Sequence, residues 1–177
     1  MNFTFRTVPN VIFETGAAAR LGAIVSQRMK RPVVVTDRGV VNAGLINAAL
    51  ASLKAEGLDF HLFDGIEADP PARVVRASVE AARAHKADGV IGFGGGSSMD
   101  TAKIIAVLLN SSQSLEEIYG TGNIKGWRAP LVLVPTTAGT GSEVTDIAVV
   151  TTDDDQKMGV LGDPMFADVA ILDPALT

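Results

Sequence analysis

The sequence predicts a doubly wound, mostly parallel α/β sheet of Rossmann-like type that also carries a β-hairpin. Three observations lead there. Short apolar, β-branched runs alternate with segments of helical length. A glycine-rich turn joins one of those runs to a helical pattern, as doubly wound domains do where they hold ligands. Two further apolar runs flank the acidic turn Thr152 to Gln156, the signature of a hairpin.

In chain order, Phe3, Phe5, Val8 and Val11 to Phe13, around Pro9-Asn10, read as one or two short strands, and a helix is expected from Ala17 to Met29. Pro32 then introduces Val33-Val34-Val35, a run suited to a strand buried on both faces. A helix over Leu45 to Glu56, a strand over Asp59 to Phe63, the turn Ala68 to Pro71 and a helix over Val74 to His85 repeat the unit. Next come the strand Gly89 to Phe93, the glycine turn and a helix over Ser98 to Leu109. Asn110 to Arg128 is polar and irregular, after which Leu131 to Val134 is a strand. Ile147 to Val150 and Met158 to Leu161 form the hairpin, and Val169 to Leu172 is the last strand. Asp173-Pro174 reads as the turn into a further helix, with proline suited to its first turn.

A chain of 177 residues is expected to form one domain, spanning 1–177, with a core supplied by its 47% hydrophobic content. Fifteen basic against twenty acidic residues give a net charge of -5, without a basic cluster long enough to follow a phosphate backbone, so nucleic acid is not expected as a partner. No apolar run approaches the roughly 20 residues of a spanning helix, and the N-terminus has no continuous apolar stretch of the signal-peptide kind. The sequence contains no cysteine, which removes disulfides, thiolate nucleophiles and Cys-based metal sites. A cytoplasmic protein with no membrane partner is the expectation.

Gly92-Phe93-Gly94-Gly95-Gly96-Ser97-Ser98 carries the clearest chemical signal. Glycines let the backbone turn sharply and bring its N–H groups close to a phosphate, and the following helix adds unsatisfied N–H groups and its positive dipole end. The plainer alternative is a tight connection in which Ser97, Ser98 or Asp100 caps the helix. It is not a P-loop, because no Lys-Ser/Thr pair follows at the required spacing. Nor is it the ordinary dinucleotide fingerprint, in which the acidic residue follows the glycines. Here the candidate acid precedes them: Asp37, at the end of the Val33 to Val35 run. Its carboxylate can accept hydrogen bonds from an adenosine ribose and repels a 2′-phosphate, favouring NAD over NADP, with Arg38 partly offsetting the repulsion; a turn or N-cap aspartate is the competing reading.

Pro135 to Thr145 follows another strand and packs five hydroxyl residues among two glycines, a composition suited to ribose, diphosphate or carboxamide contacts and equally to a solvated loop. Gly94-Gly95-Gly96-Ser97-Ser98-Met99-Asp100-Thr101-Ala102-Lys103, taken with Pro135 to Thr145, closely resembles the iron-containing (group III) alcohol dehydrogenases, relatives of glycerol dehydrogenase and dehydroquinate synthase. The resemblance runs from the N-terminal strands to Leu172-Asp173-Pro174.

It implies an oxidoreductase that moves a hydride between NAD(H) and a small alcohol or aldehyde. It implies further that the cofactor lies between this domain and a helical, metal-binding domain expected after residue 177. By matching motifs, Asp37 faces the adenosine ribose, and Gly95, Gly96 and Ser97 the diphosphate. Thr136, Thr137, Thr140 and Thr145 line the diphosphate and nicotinamide end. Asp69 stands where the family carries a small polar residue, and Lys157 matches a lysine near the nicotinamide ribose, the alternative for Lys157 being a solvated hairpin lysine. The family's Fe2+ or Zn2+ is held by one Asp and three His that find no counterpart in this sequence, where His61 and His85 are each isolated and neither is expected to bind metal. This chain alone is therefore not expected to turn over alcohol. A homodimer is expected, with the strands of Asn2 to Phe13 as one means of pairing.

Three other readings remain at this point. A maleylacetate reductase or glycerol dehydrogenase fits the same superfamily. An ATP-binding phosphotransferase, with Asp100 as its Mg2+ ligand, or a non-catalytic dinucleotide-binding module fits the glycine turn.

Overall fold

The computed structural model describes residues 2–177. Its main sheet contains β1 (Val11–Phe13), β2 (Pro32–Val35), β3 (His61–Phe63), β4 (Gly89–Gly94), β6 (Leu131–Pro135) and β9 (Val169–Leu172). These pair throughout in parallel, in the spatial order β1-β9-β6-β4-β2-β3. A second sheet consists of the hairpin β7 (Ile147–Thr151) and β8 (Lys157–Leu161), with the short β5 (Gly120–Thr121) parallel to β8.

Alternation along the buried strands builds two cores. Val33, Val35, Val90 and Leu133 point to one face, where α4 (Ala72–Ala84) and α5 (Gly96–Leu108) pack together with the second sheet. Val34, Ile91, Val132, Val134 and Ile171 point to the other, covered by the 3-10 turn Ala17–Arg20, α1 (Leu21–Val25) and α3 (Asn47–Ala55). Helices on both faces explain why β2, β4 and β6 are buried at every position, since neither side of these strands meets water.

The strand order locates the ligand site. From β2 onward the chain lays down β2, then β3 on one side, then β4 on the other, followed outward by β6 and β9. The direction of winding reverses between β2 and β4, and a crevice opens there beyond the carboxyl ends of the two strands, where doubly wound sheets bind ligands.

Several elements differ from expectation. The described stretch before β1 forms no strand, and Phe3 and Phe5 are exposed. The helix expected over Ala17 to Met29 is a 3-10 turn followed by the five-residue α1. Beyond it the chain turns, and the Asp88 carboxylate accepts from the N–H groups of Lys30 and Arg31, at 2.7 and 2.8 Å, where the chain enters β2. A short α2 (Arg38–Asn42) was not anticipated; Asp37 caps it. The irregular stretch contains β5. Past β9, Pro174–Leu176 is a 3-10 turn capped by Asp173. No helix among the described residues is long and apolar enough to cross a membrane.

Candidate dinucleotide site

At the switch point, β4 runs straight into α5 through Gly94 and Gly95. Gly94 has φ 148, and a Cβ there would lie 2.8 Å from Ser98 Oγ, so the turn into the helix excludes a side chain. Gly92 serves packing instead: a Cβ there would sit 2.7 Å from Ala102 and from Leu133, so its absence lets α5 lie close on β4 and β6.

Gly95 is the N-cap of α5 and no side chain caps the helix, so the expectation that Ser97, Ser98 or Asp100 does so is not met. Among the described residues the N–H groups of Gly96, Ser97 and Ser98 consequently make no hydrogen bond, while that of Met99 closes onto Gly95 O at 3.1 Å. Three free donors and the positive end of a 13-residue helix converge on one spot.

Asp37 stands beside this spot. Its Oδ1 accepts from Val40 N at 3.0 Å, which makes it the N-cap of α2; its Oδ2 has no partner among the described residues and lies 3.4 Å from where a Cβ on Gly94 would be. The cap reading and the ligand reading of Asp37 are thus compatible, one oxygen for each. Asp37, Arg38, Gly39 and Ile66 on one side and Gly95 to Ser98 on the other line an outer cleft of about 370 Å³.

An inner cleft of about 280 Å³ begins at the same Gly96 and Ser97 and continues past Thr140, Ser142 and Thr145 to β7, Asp69 and Lys157. The two clefts meet at the glycine turn, with Gly96 and Ser97 in the wall of each. Lys157 forms an ion pair with Asp69, whose φ of 50 places it in the left-handed region that aspartate tolerates. Thr151 fastens the Asp69 loop to β7, its N–H donating to Pro70 O and its Oγ1 to Asp69 O, both at 3.1 Å.

Eight of the ten expected site residues therefore line these two adjoining clefts, Asp37 and Gly95 the outer one, Gly96 and Ser97 both, and Thr140, Thr145, Asp69 and Lys157 the inner one. The remaining two do not line them. Thr136 joins the strands, its N–H donating to Gly94 O at 3.0 Å. Thr137 lies over Gly95 but lines a separate hollow with Pro135, Gly139 and Leu172.

A polar network beneath the inner cleft escaped the sequence reading. Asp100 accepts from Ser142 Oγ at 2.5 Å and from Val149 N at 3.0 Å. Lys103, fully buried one turn later, donates to Ile147 O at 2.8 Å and to Thr145 Oγ1 at 3.3 Å. Burial pushes the Asp100 carboxyl above its ordinary value. It also brings the Lys103 ammonium down to about 8, against the opposing pull of Asp100, Glu143 and Asp146. The available signal was a lysine directly before the apolar run Ile104 to Leu108.

His61 and His85, expected to be isolated, lie with ring centroids 5.7 Å apart, because β3 and the end of α4 meet there; His85 Nε2 is engaged with Asp59 O at 2.8 Å. Among the described residues no three His, Cys, Asp or Glu side chains converge to hold a metal ion.

A family model described as iron-containing alcohol dehydrogenase matches residues 9–174. The chain belongs to the iron-containing alcohol dehydrogenase family. Among the relatives in this family, the sulfoacetaldehyde reductase of Bilophila wadsworthia is 34% identical over 179 residues, covering 100% of this chain and 46% of the relative. The crystal structure of a 1,3-propanediol oxidoreductase superposes with a TM-score of 0.95 at 28% identity, covering 100% of this chain and 47% of that one. The sulfoacetaldehyde reductase of Bifidobacterium kashiwanohense, solved in complex with NAD+, gives 0.88 at 30% identity over 100% of this chain and 47% of that one. The chain thus spans about half the length of the relatives it matches.

Proposed function

We propose that this chain is the dinucleotide-binding half of an NAD(H)-dependent oxidoreductase acting on a small alcohol or aldehyde. The observation that carries the reading is the set of three free N–H groups on Gly96, Ser97 and Ser98, placed at the switch point with the unused Asp37 Oδ2 beside them. Backbone donors at a helix N-terminus suit a diphosphate. A carboxylate on the outer side suits a ribose diol and opposes a 2′-phosphate, which favours NAD over NADP.

With the adenosine on the Asp37 side, the nicotinamide half extends into the inner cleft toward Thr145 and Lys157. NAD supplies the hydride acceptor and donor. The chain's part is to bind and orient it: the glycine turn fixes the diphosphate, Asp37 the ribose, and the Thr140 to Thr145 segment the inner half. The iron or zinc that the family name implies finds no donor set among the described residues. We propose that its ligands, like the alcohol-binding groups, belong to the family's helical domain.

A homodimer is supported by β1, an edge strand whose outer side pairs with nothing among the described residues and whose Val11 and Phe13 are 49% and 73% exposed. A cytoplasmic setting accords with a cofactor drawn from the metabolic pool. Fluorescence titration of the complete polypeptide tests the reading, with saturable NADH binding and no Mg-ATP binding expected. Saturable Mg-ATP binding without NADH binding would instead favour a phosphotransferase.

A further inference from the structure

We propose that Lys103 is a positioning residue: it fixes the Thr145 hydroxyl as a hydrogen-bond acceptor toward the inner cleft, where it reads an amide N–H of the ligand. The inference rests on the dinucleotide reading above and assigns a task to a buried cation that the reading leaves unused.

Lys103 lies in a helix whose neighbouring side chains, Ala102, Ile104, Ile105 and Ala106, are apolar and buried. A cation here is costly unless its hydrogen bonds are met, and a methylene chain alone would pack as well. Its nearest carboxylate oxygen, on Asp100, is 3.9 Å away, and both Asp100 oxygens are already engaged by Ser142 Oγ and Val149 N. The ammonium spends its donors on the Ile147 carbonyl and the Thr145 hydroxyl.

An ammonium can only donate, so Thr145 Oγ1 must accept from it. The hydroxyl proton is then directed away from Lys103, and the Ser142 carbonyl receives it at 3.4 Å. One lone pair remains. Thr145 lines the inner cleft, so that lone pair is the polar capacity it offers to a ligand there. A primary amide, such as the nicotinamide carboxamide, supplies the matching donor; a carboxylate in its place supplies none. Without Lys103 the hydroxyl is free to rotate and to donate, and the discrimination between the two is lost.

The experiment measures dissociation constants of NADH, ADP-ribose and nicotinic acid adenine dinucleotide for the complete polypeptide. It compares the wild type with Lys103→Met, Thr145→Val and the double variant. Each single substitution is expected to weaken NADH about five- to tenfold while ADP-ribose, which lacks the nicotinamide, stays within about twofold. The double variant should be no weaker than the weaker single one, since one residue acts through the other. Wild-type preference for the amide over the acid dinucleotide should shrink in both single variants.

Equal losses on NADH and ADP-ribose, or additive losses in the double variant, would overturn the proposal. If Lys103→Met does not fold, Thr145→Val decides, because it keeps the side-chain shape: unchanged NADH affinity there overturns the proposal. Wild-type protein that binds neither NADH nor ADP-ribose overturns the dinucleotide reading itself, a result distinct from either of these.

Discussion

The Lys157 ammonium meets the Asp69 carboxylate at the rim of the inner cleft, joining two residues 88 positions apart that the sequence had marked separately as site residues. The pair ties the loop after β3 to the start of β8. Both side chains are more than half exposed, so the pair adds little to stability; its consequence is to neutralise the one lysine that faces the inner half of the groove.

Asp69→Asn should therefore tighten NADH binding about two- to fivefold, by freeing the ammonium for the anionic cofactor, and asparagine keeps the left-handed backbone accessible. Lys157→Met should weaken NADH about three- to tenfold, with thermal stability unchanged within about 0.5 kcal/mol. Titrations at low and high salt check the cause, because the gain in Asp69→Asn should shrink as ionic strength rises. A tighter complex at all salt concentrations would point away from charge.

Asp37 combines two tasks that substitution can separate. Asp37→Ser retains a side-chain oxygen for the Val40 N–H and removes the carboxylate, so the ratio of NADH to NADPH affinity should fall at least about tenfold with little change in melting temperature. Asp37→Ala should show the same change in cofactor ratio and an added loss of about 1 kcal/mol from the lost cap. Comparing the two variants by NADH and NADPH titration and by thermal melting measures both tasks.

The glycines of the turn also divide. Gly92→Ala should destabilise the protein by about 1–3 kcal/mol, because its Cβ meets Ala102 and Leu133 at 2.7 Å in a packed core. Gly95→Ala meets nothing closer than Thr137 at 3.6 Å and should leave the melting temperature nearly unchanged. It should nonetheless weaken NADH binding at least about tenfold, since the methyl group occupies the approach to the free N–H groups. Equal stability losses in the two variants would contradict this division.

Much of this arrangement was legible in the sequence, and the exceptions have physical reasons. The β4, turn, α5 unit could be read because apolar strand, glycines and helix follow one another directly, and Val169 to Leu172 because Asp173-Pro174 marks its end. The adjacency of Asp37 to the turn could not, because it depends on β2 pairing with β4 rather than only with the next strand in sequence. Asp100 and Lys103 look like an ordinary surface pair at i and i+3. Their role becomes visible only when Ser142 and Val149, 42 and 49 residues from Asp100, fold over them. The short α2 carries too few apolar residues to show a period.

Asp173 gives a pH test of the frame that holds the sheet edge. Its carboxylate is buried, which alone would raise its pKa, but N–H groups of Ala18, Gly16 and Ala175 donate to it and hold it below the ordinary 3.8. A carboxylate with a depressed folded pKa contributes stability that is present above its unfolded value and lost as pH falls through the folded one. Asp173→Asn should cost about 1–3 kcal/mol at neutral pH, because one amide NH2 must face an N–H donor. Denaturant melts should show that gap closing as pH drops below about 4.

The central claim is that one groove runs from Asp37 across the glycine turn to Thr145, and a crystal structure of the complete polypeptide with NAD+ tests it most directly. The account predicts diphosphate oxygens within about 3.2 Å of the Gly96 and Ser97 nitrogens, the adenosine ribose on Asp37 Oδ2 and the carboxamide at Thr145 Oγ1. A diphosphate bound away from the start of α5, or a cofactor lying in the opposite direction with its nicotinamide at Asp37, would contradict it.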